Sequence, residues 1–192
     1  INEPGCVEAL QWMIDKINKY HISPTDAEMA GVSDGDMFKQ GKLAMLRTGI
    51  WMFDGFKDAP FNWDIALEPG NTQKAHHFFS NGVAISANTP NPDAAAAWAK
   101  FFTSSPEAAK IRVASSWELP ALNDQTLFDQ WLALKPPASR QVVFEALDSL
   151  VTPPVIEKQS QMQDAVNLLL EKAKNGELTP QEALDQAKTE ID

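Results

Sequence analysis

His76 and His77 are the residues of this sequence that most invite a chemical role. On a strand, however, adjacent side chains point to opposite faces, so the pair cannot close on one metal ion, and a strand entry with one histidine exposed is expected. Asp34 and Asp36 flank Gly35 in the manner of a calcium loop. A third acidic ligand and a distal glutamate are missing, which favours a solvated turn. Glu68, followed by Pro69 and Gly70, reads as a strand exit without a visible catalytic partner. A hydrolase or transferase would have to draw on Asp64, Glu68, His76 and His77, since the sequence has no phosphate-cradling glycine loop, paired-cysteine zinc spacing, HExxH or GxSxG. No catalytic residue, metal ligand or cofactor is therefore assigned.

Tryptophan is more informative. Six tryptophans stand against one tyrosine, so each position needs its own explanation. Trp12 and Trp98 fall inside helical patterns and Trp63 inside a strand pattern, where core packing is the default; Trp131 also suits a core. Trp51 and Trp117 sit at turn-like boundaries, where a ring can face a cleft. For Trp51, just past a strand and Gly49, ligand contact is favoured over core packing.

The elements that must position these residues follow from periodicity and punctuation. Val7, Leu10, Ile14 and Ile17 recur at helical spacing from Gly5 to Tyr20 and predict a helix docked by one face. HISPTDAEMAGVSDGD reads as a loop ending near Met37. A strand is expected over Leu43–Thr48, a short helix from Trp51 to Phe56, and a second strand where Trp63, Ile65 and Leu67 alternate with Asp64, Ala66 and Glu68. HHFFSNGVAIS predicts a third strand, interrupted by a turn or bulge at Asn81 and Gly82.

The rest is mostly helical. Asn91 before Pro92 and Ser105 before Pro106 mark helix starts. Further helices are expected over 125–135 and 142–150, and in the stripe Met162, Ala165, Val166, Leu169, Leu170 and Ala173, closed by Asn175 and Gly176. Thr179, Pro180 and Glu182 form a capping box for the last helix.

Composition bounds the function. The chain of 192 residues is 44% apolar and 22% charged, as a globular protein is. A net charge of -10 repels phosphate backbones and argues against nucleic acid as a partner. Apolar runs fall far short of the roughly 20 residues that span a bilayer. Cys6 is the one cysteine, so no internal disulfide can form.

In this order, the pieces resemble the extracellular solute-binding proteins of carbohydrate ABC transporters, the large maltodextrin-binding type. FKQGKLAMLRTGIW is similar to that family's aromatic, glycine turn, small-residue strand ending in Ala-Met, and Gly-x-Trp. FNWDIALEPG resembles the strand ending in a Leu-Pro step, with Glu68 intervening. SNGVAIS resembles a Gly-Gly turn and strand, with Asn81 for the first glycine. NTPNPDAAAAWAKFFTSSPEAAK is similar to the paired helices that follow, and ELPAL to the next Leu-Pro step.

The resemblance runs over nearly the whole chain but covers only the second half of such a protein, whose members are roughly twice as long. It implies a helix-rich α/β, periplasmic-binding-protein-like lobe with a segment crossing back to an incomplete first lobe. Residues 1–78 would begin the second lobe, 79–124 would cross to the first, and 125–192 would return. Asn81 and Gly82 would form one hinge, and Glu118, Leu119 and Pro120 another, about which the lobes close on a sugar.

Gly49, Trp51, Asn81, Gly82 and Gln163 would be the ligand contacts. The indole would stack on the C–H face of a sugar and the helix start would offer N–H groups to hydroxyls. Glutamine at 163 stands where some relatives carry a second stacking aromatic. The implied partners are a carbohydrate or related polyol and the permease subunits of an ABC transporter, with no nucleic acid. The implied location is periplasmic or extracellular, with contact to the membrane only through the permease or a lipid anchor outside this chain. A strand at Val83–Ser86 and the helices bearing Trp98, Phe101 and Phe102 would belong to the first lobe's sheet, so residues 79–124 should be poorly ordered or packed on a neighbouring copy, by exchange of segments between chains, while Leu43–Thr48 and Trp63–Leu67 pair in one sheet. An interaction domain without a small ligand is the remaining alternative.

Overall fold

A computed structural model describes residues 1–116, 118–153 and 155–191. Along the chain run α1 (Pro4–Asn18), α2 (Asp26–Met29), α3 (Asp34–Lys39), a 3-10 turn at Ile50–Met52 leading into α4 (Phe53–Phe56), β1 (His76–His77), α5 (Pro92–Ser104), α6 (Pro106–Ala114) and α7 (Gln125–Ala133). There follow α8 (Gln141–Ala146), a 3-10 turn at Leu147–Ser149, β2 (Leu150–Val151), α9 (Gln159–Lys174) and α10 (Pro180–Ile191). These elements fall into two compact units, one of residues 1–32 and 154–192, the other of 33–153.

The first unit is helical. Leu10 and Ile14 of α1 meet Leu169 and Ala173 of α9 and Ala183, Leu184 and Ala187 of α10, the alanines letting the helices approach closely. Gly176, at φ +76°, ends α9 in the left-handed conformation that glycine adopts without strain. Thr179 and Glu182 then cap α10 reciprocally, at 2.8 and 3.2 Å. The Asn18 side chain donates to the Lys174 carbonyl (2.9 Å) and ties α1 to α9.

Two expectations fail here. Trp12 is exposed, not core, with the Lys16 ammonium 3.8 Å from its ring centre. It stands two residues from both Leu10 and Ile14, about 200° around the helix, and so faces away from the buried stripe. The predicted loop before Met37 contains α2 and the start of α3, capped by Thr25 with Glu28 and by Ser33. Asp34 and Asp36 occupy the first turn of α3 in place of a solvated turn.

The second unit packs Phe53 of α4, Ala109 and Val113 of α6, and Leu127 and Trp131 of α7 around one core, flanked by Ile50, Trp63, Ile65, Val143 and Phe144. Trp131 is fully buried and stacks on Phe53 at 6.3 Å and 29°. Trp63 is held by its indole N–H donating to the Phe56 carbonyl, at 2.9 Å.

Strands are shorter than expected. Among the described residues the sheet is the parallel pair β1 and β2, with His76 opposite Leu150 and His77 opposite Val151. Leu43–Thr48, Trp63–Leu67 and Val83–Ser86 form no ladder, and Asn81 and Gly82 mark neither turn nor bulge. The alternation of Trp63–Leu67 is nevertheless present, with Trp63, Ile65 and Leu67 half-buried and Asp64 and Ala66 exposed, but it breaks at Glu68, which is half-buried as well. Pleating sets which way a side chain points, but a ladder also needs a neighbour with free backbone groups. At Ile65 the N–H is already taken by Asp64 Oδ1, at 2.9 Å. Met45 is 88% exposed, so the segment expected as a covered strand has a bare face.

The segment 79–124 divides in its behaviour. Ser105 caps α6 as predicted, accepting from the Glu107 and Ala108 N–H groups, and Ala108, Ala109 and Val113 are buried. Asn91 precedes α5 without a side-chain cap, and α5 buries none of its residues. Trp98, placed in a core by its helical position, is exposed because no described element covers the face it shares with Phe101.

Candidate functional site

Gly49 opens the 3-10 turn at φ -117° and ψ 173°, extended backbone open to any residue. Space is what demands glycine: a Cβ there would stand 2.0 to 2.5 Å from the Cζ3, Cη2 and Cε3 atoms of Trp51. The indole therefore lies on the bare glycine. Ile50 and Phe53 turn inward to the core, which leaves Trp51 facing outward and 42% exposed. Met52 N–H donates to the Gly49 carbonyl (3.1 Å) and Phe53 N–H to that of Ile50, so the Ile50 and Trp51 N–H groups lie ahead of the turn's hydrogen bonds. Gly49→Ala should push the indole aside while the melting temperature holds, which a shift in tryptophan fluorescence set against a melting curve checks.

Phe79 approaches Trp51 edge to face, with centroids 5.2 Å apart and planes at 85°. His77 in turn stacks flat on Phe79, at 4.0 Å and 11°. His76 points the other way, its Nδ1 2.8 Å from the Ser149 hydroxyl, and its Nε2 is buried without a partner. The two imidazoles thus take different partners on different faces, as the strand period requires.

The two predicted hinge points come together although 37 residues separate them: the Asn81 amide donates to Glu118 Oε2 at 3.3 Å. Glu118 also pairs with the Arg112 guanidinium, which lies 4.3 Å from the Phe102 ring centre and donates to the Phe102 carbonyl. Leu119 packs against the core beside this cluster, with Pro120 half-buried after it. Gly82 has no atom within 4 Å of where a Cβ would stand, and nothing in its geometry explains the glycine. Gln163 is exposed on the first turns of α9, in the other unit. Trp117 lies outside the described residues.

The acidic candidates are engaged separately. Glu68 pairs with Arg47 at 2.6 Å on the surface. Asp64 accepts from the Ser139 N–H (2.8 Å) and hydroxyl (2.7 Å). Burial works to raise the Asp64 carboxyl, but the bonds from the Ser139 hydroxyl and from the Ser139, Ile65 and Ala138 N–H groups outweigh it, holding the group below its ordinary value of 3.8. A depressed folded value means stability present above the ordinary value and lost as pH falls through the folded one. The second unit should therefore lose stability below about pH 4, and Asp64→Ala should flatten that part of a melting-temperature profile. Among the described residues no three His, Cys, Asp or Glu side chains converge on a metal position.

Sequence reasoning left Phe79 and Arg112 unnoticed. An aromatic two residues past His77 shares its face of an extended chain, which was the available signal for Phe79; Arg112 had none, because its partner is set by packing.

Comparison with known proteins adds two findings. A family model described as bacterial extracellular solute-binding protein matches residues 2–133. Among solved structures, the chain is similar to an ABC substrate-binding protein of Listeria monocytogenes solved in complex with cycloalternan, at 42% identity and a TM-score of 0.97. The match covers 100% of this chain and 49% of that one, so the chain spans about half the relative's length.

Proposed function

Since the chain belongs to the bacterial extracellular solute-binding proteins, we propose that it forms part of the substrate-binding component of an ABC importer, which captures a sugar or oligosaccharide between two lobes and delivers it to a membrane permease. The observation that carries this is Trp51: a solvent-facing indole seated on Gly49, beside backbone N–H groups that precede the hydrogen bonds of their turn. An indole face takes the C–H face of a pyranose, and amide donors take its hydroxyls. The solved relative with bound cycloalternan makes that sugar a candidate ligand for this protein.

In this proposal residues 1–78 and 125–192 belong to one lobe and 79–124 to the other, with the Asn81–Glu118 contact at the crossing. Backbone bends there would let the lobes close, and Asn81 and Gly82 would meet the ligand's hydroxyls. Gln163 would offer an amide where an aromatic would offer a platform. No catalytic residue or cofactor is assigned. The protein would work in the periplasm or outside the cell, held near its permease by that contact or by a lipid anchor. Among the described residues no helix is long and apolar enough to cross a membrane.

Calorimetric titration of the full-length gene product with cycloalternan, maltose, isomaltose and cellobiose tests the proposal, with chromatography of each sugar afterwards. Binding without new products is the expected result. Turnover would favour a hydrolase or transferase, and a silent panel an interaction domain.

A further inference from the structure

Asn81 and Asn175 are each followed by glycine. An asparagine in that setting loses its side-chain nitrogen when the backbone nitrogen of the next residue attacks the side-chain amide carbon, an approach that glycine, without a Cβ, does not hinder. Local structure separates the two sites. Asn175 is held at φ -80° and ψ -2° at the end of α9, its own N–H donating to the Ala173 and Glu171 carbonyls. The nitrogen that would attack there, that of Gly176, donates to the Ala173 carbonyl at 3.1 Å.

Asn81 and Gly82 are exposed and lie in no helix or strand. Among the described residues the Gly82 N–H makes no hydrogen bond, and nothing stands within 4 Å of where a Gly82 Cβ would be. The Asn81 amide reaches Glu118 Oε2 at 3.3 Å, longer than the usual N–H···O bond, so little holds it away from the attacking nitrogen.

We propose that Asn81–Gly82 is a site of spontaneous deamidation, with water as co-reactant, and that the carboxylate it creates breaks the contact between residues 81 and 118. A bond forms between the Gly82 nitrogen and the Asn81 side-chain carbon while the bond from that carbon to the amide nitrogen breaks. The displaced nitrogen takes the Gly82 N–H proton and leaves as ammonia. Water then opens the resulting cyclic imide, its hydroxyl joining one ring carbonyl carbon and its hydrogen the ring nitrogen, which yields aspartate or isoaspartate. Either product replaces a donor to Glu118 by a second negative charge. Glu118 keeps its pairing with Arg112, but its Oε2 then faces a carboxylate, and the two repel. The proposal stands apart from the sugar-binding function and does not depend on it.

The test is warm incubation of the full-length gene product at neutral pH, followed by peptide mapping and isoaspartate labelling. Residue 81 should acquire the amide-to-acid mass change and isoaspartate well before residue 175. Gly82→Ala should suppress the reaction at 81 without lowering the melting temperature, since Gly82 has open space around it and lies outside the left-handed region. Asn81→Asp, which reproduces one product directly, should melt earlier than wild type at low salt and approach it as added salt screens the two carboxylates. An intact Asn81, equal modification at 81 and 175, or an undiminished rate in Gly82→Ala would overturn the site. Wild-type melting of Asn81→Asp at low salt would overturn its effect on the 81–118 contact.

Discussion

Replacing Arg140 by alanine should lower the unfolding free energy by about 3–5 kcal/mol, through unpaired acceptors and a cavity. Its side chain is among the largest that are fully buried. Nε donates to the Leu134 carbonyl at 2.7 Å, and Nη2 to the Pro136 carbonyl at 2.9 Å and the Ser116 hydroxyl at 2.5 Å. The guanidinium lies 4.7 Å from the Trp131 ring centre and 5.1 Å from that of Phe53. One side chain therefore joins the turn after α6, the end of α7 and the start of α8 to the aromatic core.

Burial pushes the Arg140 pKa down from its ordinary value to about 10, which keeps the group charged at neutral pH. Because the folded value lies below the unfolded one, the desolvation cost acts in full at neutral pH and is relieved only as pH rises past about 10. Hydrogen bonds and ring faces must offset that cost. Alanine would leave three acceptors unmatched and a void against Trp131. Lysine, with no planar fork, should recover only part of the loss. Chemical denaturation reads both variants, and a loss below about 1 kcal/mol would show that water replaces the guanidinium.

Trp51→Ala in the full-length gene product should weaken sugar binding by about 1–3 kcal/mol, or about 5- to 150-fold. The ring is 42% exposed and contributes correspondingly less to the core than Trp131 does, so stability should change less than affinity. Paired titration and melting of wild type and variant separate the two quantities. Normal binding with a much earlier melt would make Trp51 a packing residue and remove the main support for the proposed ligand contact.

The helices were readable where their signals were local. Ser105 caps α6 through N–H groups two and three residues ahead, and Thr179 with Glu182 caps α10 over the same short span. Thr25 with Glu28 is an equally local box, hidden only by the acidic, breaker-rich composition around it. Trp12 was also within reach, since its angle from the Leu10–Ile14 stripe follows from the helical period alone. The strands were not. Alternation at Trp63–Leu67 announced the exposed and half-buried sides correctly, but a ladder depends on a partner elsewhere in the chain.

For the candidate site, the sequence by itself determined that a glycine precedes a tryptophan at a helix start, that adjacent histidines face apart, and that the motifs resemble one half of a sugar-binding protein. Each depends on residues close together or on their order along the chain. Only the tertiary structure set Phe79 at a right angle to Trp51, joined Asn81 to Glu118, and brought Ser116 to Arg140. These partners lie 24 to 37 residues apart, beyond the three or four over which caps and helical periods act. Which of many polar or aromatic side chains meet at that distance is decided by how the core around Trp131 packs, because close packing permits few arrangements of the segments that carry them.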